Sequence, residues 1–495
     1  MGEEPEPRTE AGRGLTRAAA VGMGWTWGGL VIGLAMQLVY TAVMSRTVDP
    51  RAFGLVAAAL IGLRFVTYLG NFGIGSAVVQ RPELDDDDVS TALALSAAMG
   101  LGVAITAFVA SPLLAAVVRE PEAARVMRWL ALGLFLSTIA TVPEALLRRA
   151  LRFKVMTIVQ LIGFAIGYLM VGIPLALRGW GVWSLVSASI VQSAVLLTGY
   201  ASTARLPHRF AVSRPAARAL LGFGGTVTAT GFLEFLTSSL DTLAVGRWIG
   251  SAGLGQYSRG TYLVSLPVER ATTATTRVLL PALSAVQRQR ERFATAFLHG
   301  AALNAVVIVV PVALAASAAP ALVPILLGPG WRPAARVLPI VGIAYGIGLV
   351  THLAGVAAEA QGAVRLKLAI QVATVAALLA AIGITVGTGP SLTGFALCWL
   401  GAEMVRFLLY WVLVVPRLGV HRTDLARRYA SAILLALGAA VPVIATVRLG
   451  GAEGIIALGL SAVGGLALAA AVGATPAARV LRQDLAAVRS RLRVA

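Results

Sequence analysis

The sequence predicts an all-helical polytopic membrane protein of about fourteen transmembrane helices. Twelve of them form two pseudo-symmetric six-helix lobes around a central cavity, and two more follow at the C-terminus. Three observations predict this. The 495 residues are 58% apolar and 13% charged, against about 45–50% and about 25% in soluble domains, and mean hydropathy is +0.83. Apolar runs long enough to cross a bilayer recur from end to end. Short sequence echoes return at offsets of 201 and 213 residues.

Taken in order, the polar stretch 1–17 precedes the first span, 18–45. It lacks a signal-peptide pattern, so that span is expected to act as an uncleaved signal. Span two, 52–79, contains the glycine-rich "GNFGIG". The run Asp85 to Asp88 suits the N-terminus of span three, 89–118, through the helix dipole. Spans four to six cover 124–147, 155–177 and 181–203, completing an N-lobe over 18–203. A basic cytoplasmic linker, 204–218, leads to a C-lobe over 219–415. Its spans are 219–248, 253–283, 293–327, 334–358, 364–386 and 392–415. Spans 427–447 and 453–474 lie within 416–474, and 475–495 is a basic cytoplasmic tail. There Leu481, Leu485, Val488 and Leu492 share a helical spacing that fits a helix lying on the membrane surface. Span length and the lack of alternation exclude a strand barrel.

Lys and Arg set the orientation. With the N-terminus inside, 26 of the 41 basic residues fall on cytoplasmic segments such as "RRALRFK" (148–154), and nine fall outside. This asymmetry places both termini in the cytoplasm. The net charge of +19 is read the same way, as orienting charge and contacts to anionic lipid. Without a basic domain or an aromatic stacking platform, nucleic acid is not an expected partner. The single cysteine, Cys398, excludes an intramolecular disulfide.

The echoes predict the repeat. Arg46 and Arg247, Gly54 and Gly255, and Gly24 and Gly225 are each 201 apart, while "ALRFK" (150–154) and "AVRLK" (363–367) are offset by 213. Each copy is displaced by six spans, so the halves face the same way, and substrate sites in such proteins lie where the repeats meet.

Charges inside spans are costly and mark function or pairing. In span seven, Thr226, Thr230, Glu234, Thr237 and Asp241 make one polar stripe. In span eight, Arg259, Arg270 and Arg277 share a face, with Tyr262 beside them. Folding the hairpin near 250–252 sets Asp241 opposite Arg259 and Glu234 opposite Arg270. Two readings fit. Either the pairs are glue between helices, or they line a hydrated cleft where arginines face an anionic substrate. Arg64 sits midspan in span two and is assigned to the cavity. Glu403 and Arg406, at i,i+3, read as a local ion pair, and His299 is uninformative. His352 and Glu359 share a face of span ten, suiting either packing or proton carriage. Lys154 and Lys367, the only lysines, stand outside any Gly-Lys-Ser/Thr loop, so ATP hydrolysis is excluded. Four dispersed histidines and one cysteine make no metal cluster, and no cofactor is expected.

Several stretches resemble the Wzx-type polysaccharide transporters, within the multidrug/oligosaccharidyl-lipid/polysaccharide exporter superfamily and its colanic-acid-type branch. They include "SRTVDPRAFGLVA" (45–57), "GNFGIGSAVVQRPEL" (70–84), "PEALLRRALRFK" (143–154), "GWGVWSLV" (179–186), "LDTLAVGRWIGSAGLGQYSRG" (240–260), "VLLPALSAVQ" (278–287) and "LGPGWRPAARVLP" (327–339). The resemblance is strongest over 18–360. It implies alternating access and a substrate of oligosaccharide linked through pyrophosphate to a polyprenol, flipped across the cytoplasmic membrane. It also implies cavity arginines for the headgroup, Arg259 among them, with Asp241 and Arg247 in a second motif. Membrane lipids and the polysaccharide polymerase and export machinery are the implied partners. Glu234, Asp241, His352 and Glu359 are the candidates for ion coupling. Competing readings are a cation-coupled drug antiporter, against which the arginines speak, and a murein-precursor flippase. A membrane enzyme would carry its catalytic acids on a large external loop, and none is present.

Overall fold

The computed structural model describes residues 8–70, 74–81, 84–207, 213, 225–449 and 455–474. All regular structure among them is helical. Helices α1 (Arg8–Thr47), α2 (Pro50–Gly70), α3 (Ile74–Gln80), α4 (Asp86–Val117), α5 (Glu122–Arg149), α6 (Phe153–Leu177) and α7 (Val182–Thr203) cover the first six spans. Helices α8 (Gly225–Ile249), α9 (Ser251–Ala285), α10 (Arg290–Leu327), α11 (Arg332–Ala360), α12 (Val364–Thr388) and α13 (Leu392–Leu409) cover the next six. Last come α14 (Arg422–Arg448) and α15 (Ile455–Ala474). Among the described residues, eleven helical stretches are long and apolar enough to cross a membrane. The second expected span is the exception to one helix per span. Its described residues form two helices, α2 and α3.

The chain divides into two compact units, Met1–Phe232 and Leu233–Ala495. The division thus falls within α8 rather than in the linker. Part of that linker holds to the first unit, because the Ser213 N–H donates to Thr91 Oγ1 of α4 at 2.9 Å.

Within the first unit, α5 packs against α2, α4 and α7, and α6 packs against α1 and α7. The second unit repeats most of this plan six spans on: α11 packs against α9, α10 and α13, and α12 against α13. Arg46 and Arg247 occupy the last turns of α1 and α8, as the echo requires. The two extra helices belong to the second unit, α14 lying along α10 and α15 along α14.

Helix ends follow ordinary capping chemistry. Asp85 accepts from the Asp88 N–H at 2.7 Å, and Asp88 reaches back to the Asp85 N–H, closing a capping box on α4. The basic loops do more than carry charge. Arg149 donates to the carbonyls of Val78 and Arg81 at the end of α3, and Arg152 donates to the Thr203 carbonyl ending α7. Carbonyls left unpaired at helix C-termini attract such cations.

Candidate functional site

The α8–α9 hairpin turns on a single residue. Gly250 takes φ +91°, a conformation that costs glycine little, so α8 ends at Ile249 and α9 starts at Ser251. Counted from this turn Arg259 stands level with Asp241, but it is Tyr257 that faces Asp241. The Tyr257 hydroxyl donates to Asp241 Oδ2 at 2.5 Å, and Thr242 Oγ1 donates to Oδ1 at 3.2 Å. Both partners are buried, Asp241 3% exposed and Tyr257 fully enclosed. The expected Asp241–Arg259 pair is therefore corrected. Arg259 lies two residues past Tyr257, about 200° further round the helix. Its guanidinium stacks on the Tyr262 ring, 5.0 Å from the centroid, so the expected neighbourhood of these two is present.

Glu234 is exposed, and its partner is Lys367 at the start of α12, with Nζ 3.7 Å away. The same ammonium lies 3.2 Å from Glu359 of α11. One turn along, Gln371 of α12 donates to Thr237 Oγ1 at 2.6 Å. The lower half of the polar stripe on α8 is thus clasped by α12. The Glu234–Arg270 pairing falls outside the described residues, as do the side chains of Arg270, Arg277, Thr226 and Thr230.

A second polar group lies between α11 and α13. Glu403 and Arg406 form the expected ion pair, Oε2 to Nη2 at 2.5 Å, and Glu403 is buried. Arg406 also donates to the Gly348 carbonyl of α11 at 3.3 Å. Gly348 admits this pair, since a β-carbon there would stand 3.0 Å from Arg406 and 3.1 Å from Glu403. His352, one turn on, lies within electrostatic reach of Lys367, Arg406 and Glu359. In the first unit, Arg64 is exposed on α2 and makes no ion pair with any described residue.

The structure thus brings Glu234 and Glu359 together through Lys367, brings Arg259 to Tyr262, and gives Asp241 a neutral partner. Tyr257, Lys367 and Gln371 were not assigned to a site from the sequence. Lys367 carried a signal: it is one of two lysines among 41 basic residues, at matching places in the repeat. Gln256 is a further case. Its amide donates to the Gly330 carbonyl at 2.7 Å and accepts from the Ala334 N–H at 3.2 Å. It thereby ties "GQYSRG" to the "GPGWRPAARV" turn before α11.

A family model described as "Polysaccharide biosynthesis protein" matches residues 43–336. The chain is 27% identical to the succinoglycan biosynthesis transport protein ExoT of Rhizobium meliloti (strain 1021), over 66% of either chain. It is 25% identical to the lipopolysaccharide biosynthesis protein WzxC of Escherichia coli (strain K12), over 56% of either chain. The matches thus span just under two thirds, and rather more than half, of these relatives' lengths. Among solved structures, the lipid II flippase MurJ in an inward closed conformation superposes with a TM-score of 0.68 at 9% identity. That superposition covers 92% of this chain and 98% of the other. At such identity the likeness is one of fold, that of an all-helical multi-pass membrane bundle.

Proposed function

The chain belongs to the family of polysaccharide biosynthesis proteins, and from that premise we propose that it flips a polyprenyl-pyrophosphate-linked oligosaccharide across the cytoplasmic membrane by alternating access. The observation that carries this reading is the family match over 43–336 joined to charged side chains set within membrane spans. A glycan headgroup with two phosphates cannot enter hydrocarbon unaided. A hydrated passage must take the headgroup while the polyprenol tail stays in lipid.

In this reading Arg64, Arg259, Arg270 and Arg277 meet the pyrophosphate, because a guanidinium is permanently charged and binds phosphate oxygens in pairs. Tyr262 holds Arg259 by its ring face and offers a surface to sugar. Glu234, Asp241, His352 and Glu359 are the groups able to exchange an ion during the cycle. The Lys and Arg asymmetry puts both termini in the cytoplasm. A polysaccharide polymerase and the export machinery are the expected neighbours, receiving the flipped unit.

Removal of the gene from its host tests the reading. Surface polysaccharide should fall and the lipid-linked repeat unit should build up on the cytoplasmic side, and restoring the wild-type chain should reverse both. Rescue of a murein-flippase depletion strain, with no change in surface polysaccharide, would overturn it.

A further inference from the structure

At the head of α5, in the first unit, Arg125, Arg128, Trp129 and Leu132 form one exposed stripe, in steps of three, one and three. The neighbouring helix is α4. Its exposed side chains between Leu101 and Val117 are apolar except Thr106, whose hydroxyl donates to the Gly102 carbonyl at 2.8 Å. Such a surface on a membrane-spanning helix faces lipid. Arg128 therefore stands in a lipid-facing wall, six residues into α5 and about 9 Å from the helix end.

A charge at that depth has an ordinary outlet. Helical side chains incline toward the N-terminus, here the rim, so a long arginine can run its head out to water. Arg128 is instead bound sideways to α4. Its Nε donates to Ser111 Oγ at 2.9 Å, and its guanidinium lies over the Phe108 ring, 5.1 Å from the centroid. Phe108 is three residues further from the rim than Ser111, so both contacts keep the charge within the wall.

The acceptor is prepared for this. Pro112 has no N–H to give the Phe108 carbonyl four residues back. The buried Ser111 hydroxyl donates to that carbonyl instead, at 2.8 Å. With its proton so committed, the Ser111 oxygen has only lone pairs to offer, and Arg128 takes one. Nε and a ring-facing side of the guanidinium are thereby engaged, which leaves the two Nη groups, the donors that suit a phosphate. Among the described residues no carboxylate pairs with Arg128. Glu122, six residues rimward, pairs with Arg51 at 3.3 Å, and Glu120 lies in the turn beyond it.

We propose that Arg128, with Arg125, holds the phosphate of an anionic phospholipid in the leaflet on the side of the α4–α5 turn. One acyl chain lies along Leu101, Ile105 and Phe108 of α4, beside Leu132 of α5, all of them exposed. From Ser111 to Leu101 is ten residues, about 15 Å, or half of a hydrocarbon core about 30 Å thick, so the apolar run suits the chain of a single leaflet. Arg125, one turn nearer the rim and exposed, brings a second positive charge that favours a headgroup without an amine. The site is independent of the flippase reading.

Titrating the full chain in detergent with phosphatidylglycerol, and counting bound lipid by native mass spectrometry, tests the proposal. The wild type should hold one lipid that Arg128→Gln binds about tenfold or more weakly, because charge-assisted hydrogen bonds are lost. Arg178→Gln removes the same charge from the exposed turn after α6 and should bind as the wild type does. Equal losses from these two variants overturn the site. Arg128→Lys keeps the charge without the fork, which serves even if the glutamine variant fails to fold. It too should bind more weakly, and wild-type affinity there overturns the proposal. Inorganic phosphate should leave the lipid in place, and displacement by it would mean a site for a free anion instead. Dioleoylglycerol, which lacks the phosphate, or phosphatidylcholine, held as tightly as phosphatidylglycerol, would likewise overturn it.

Discussion

In the first unit the lysine that opens α6, Lys154, lies over the ring of Trp25 on α1, 4.7 Å from its centroid. In the second unit the corresponding lysine of α12, Lys367, lies between Glu234 of α8 and Glu359 of α11. The helices pair by much the same plan in both units, yet one lysine meets an aromatic face and the other two carboxylates. The difference extends further. The ion pairs of the first unit among the described residues are Arg51–Glu122, Arg81–Asp88 and Arg148–Glu144, all in connections or near helix ends. The second unit encloses Asp241 and Glu403 well inside its helices. The repeat has therefore kept its packing and diverged in polarity. A bilayer tolerates enclosed charge only at a cost, so the second unit is where the chemistry of the cycle is to be sought.

The comparison breaks most sharply at Asp241. Asp241→Ala, and likewise Arg259→Ala, should abolish polysaccharide export while membrane levels of the protein stay near wild type, read by surface-polymer staining beside an immunoblot. Normal export by both variants would remove the second unit's special status. Next in size is Glu403→Ala, which leaves the partly exposed Arg406 without its carboxylate and should cost about 1–3 kcal/mol in detergent unfolding.

A first-unit change of packing alone comes next. A β-carbon at Gly167 would stand 2.7 Å from the Ala188 carbonyl and 2.8 Å from the Gln192 backbone. Gly167→Leu should therefore cost about 1–3 kcal/mol. Gln256→Ala, which strands Gly330 and Ala334 at the α10–α11 turn, should lose a similar amount, about 1–3 kcal/mol by thermal melting. The smallest effect separates the two lysines. Lys154→Met should forfeit only about 0.5–1 kcal/mol of cation–π attraction and leave export intact, whereas Lys367→Met should reduce export. Equal export from the two variants would show the lysines to be interchangeable.

Most of the architecture was legible in the sequence because hydropathy and the echoes report on long segments, where an error of a residue or two is harmless. The fourteen spans, the six-span displacement and the family resemblance all rest on such signals. Contacts at the site depend on register instead. Arg259 stands as far from the Gly250 turn as Asp241 does, yet the face that α9 turns to α8 makes Tyr257 the partner of Asp241. The pairing of Glu403 with Arg406 was readable because both lie on one helix, at i,i+3. Lys367, like Arg149 and Arg152, stood at the edge of a span, where every basic residue reads as an orienting charge. Only the fold shows which carboxylate or carbonyl each one meets.

That double duty has a consequence for how the chain is made and how it holds. Insertion into the bilayer responds to the number of positive charges on a loop, whichever residue supplies them. The finished bundle responds to shape, since Arg149 reaches two carbonyls at once, as a lysine's single ammonium does poorly. Exchanging Arg149 and Arg152 for lysine should leave the topology untouched while loosening the ends of α3 and α7. Biogenesis and endurance, written in the same few letters, then become separable.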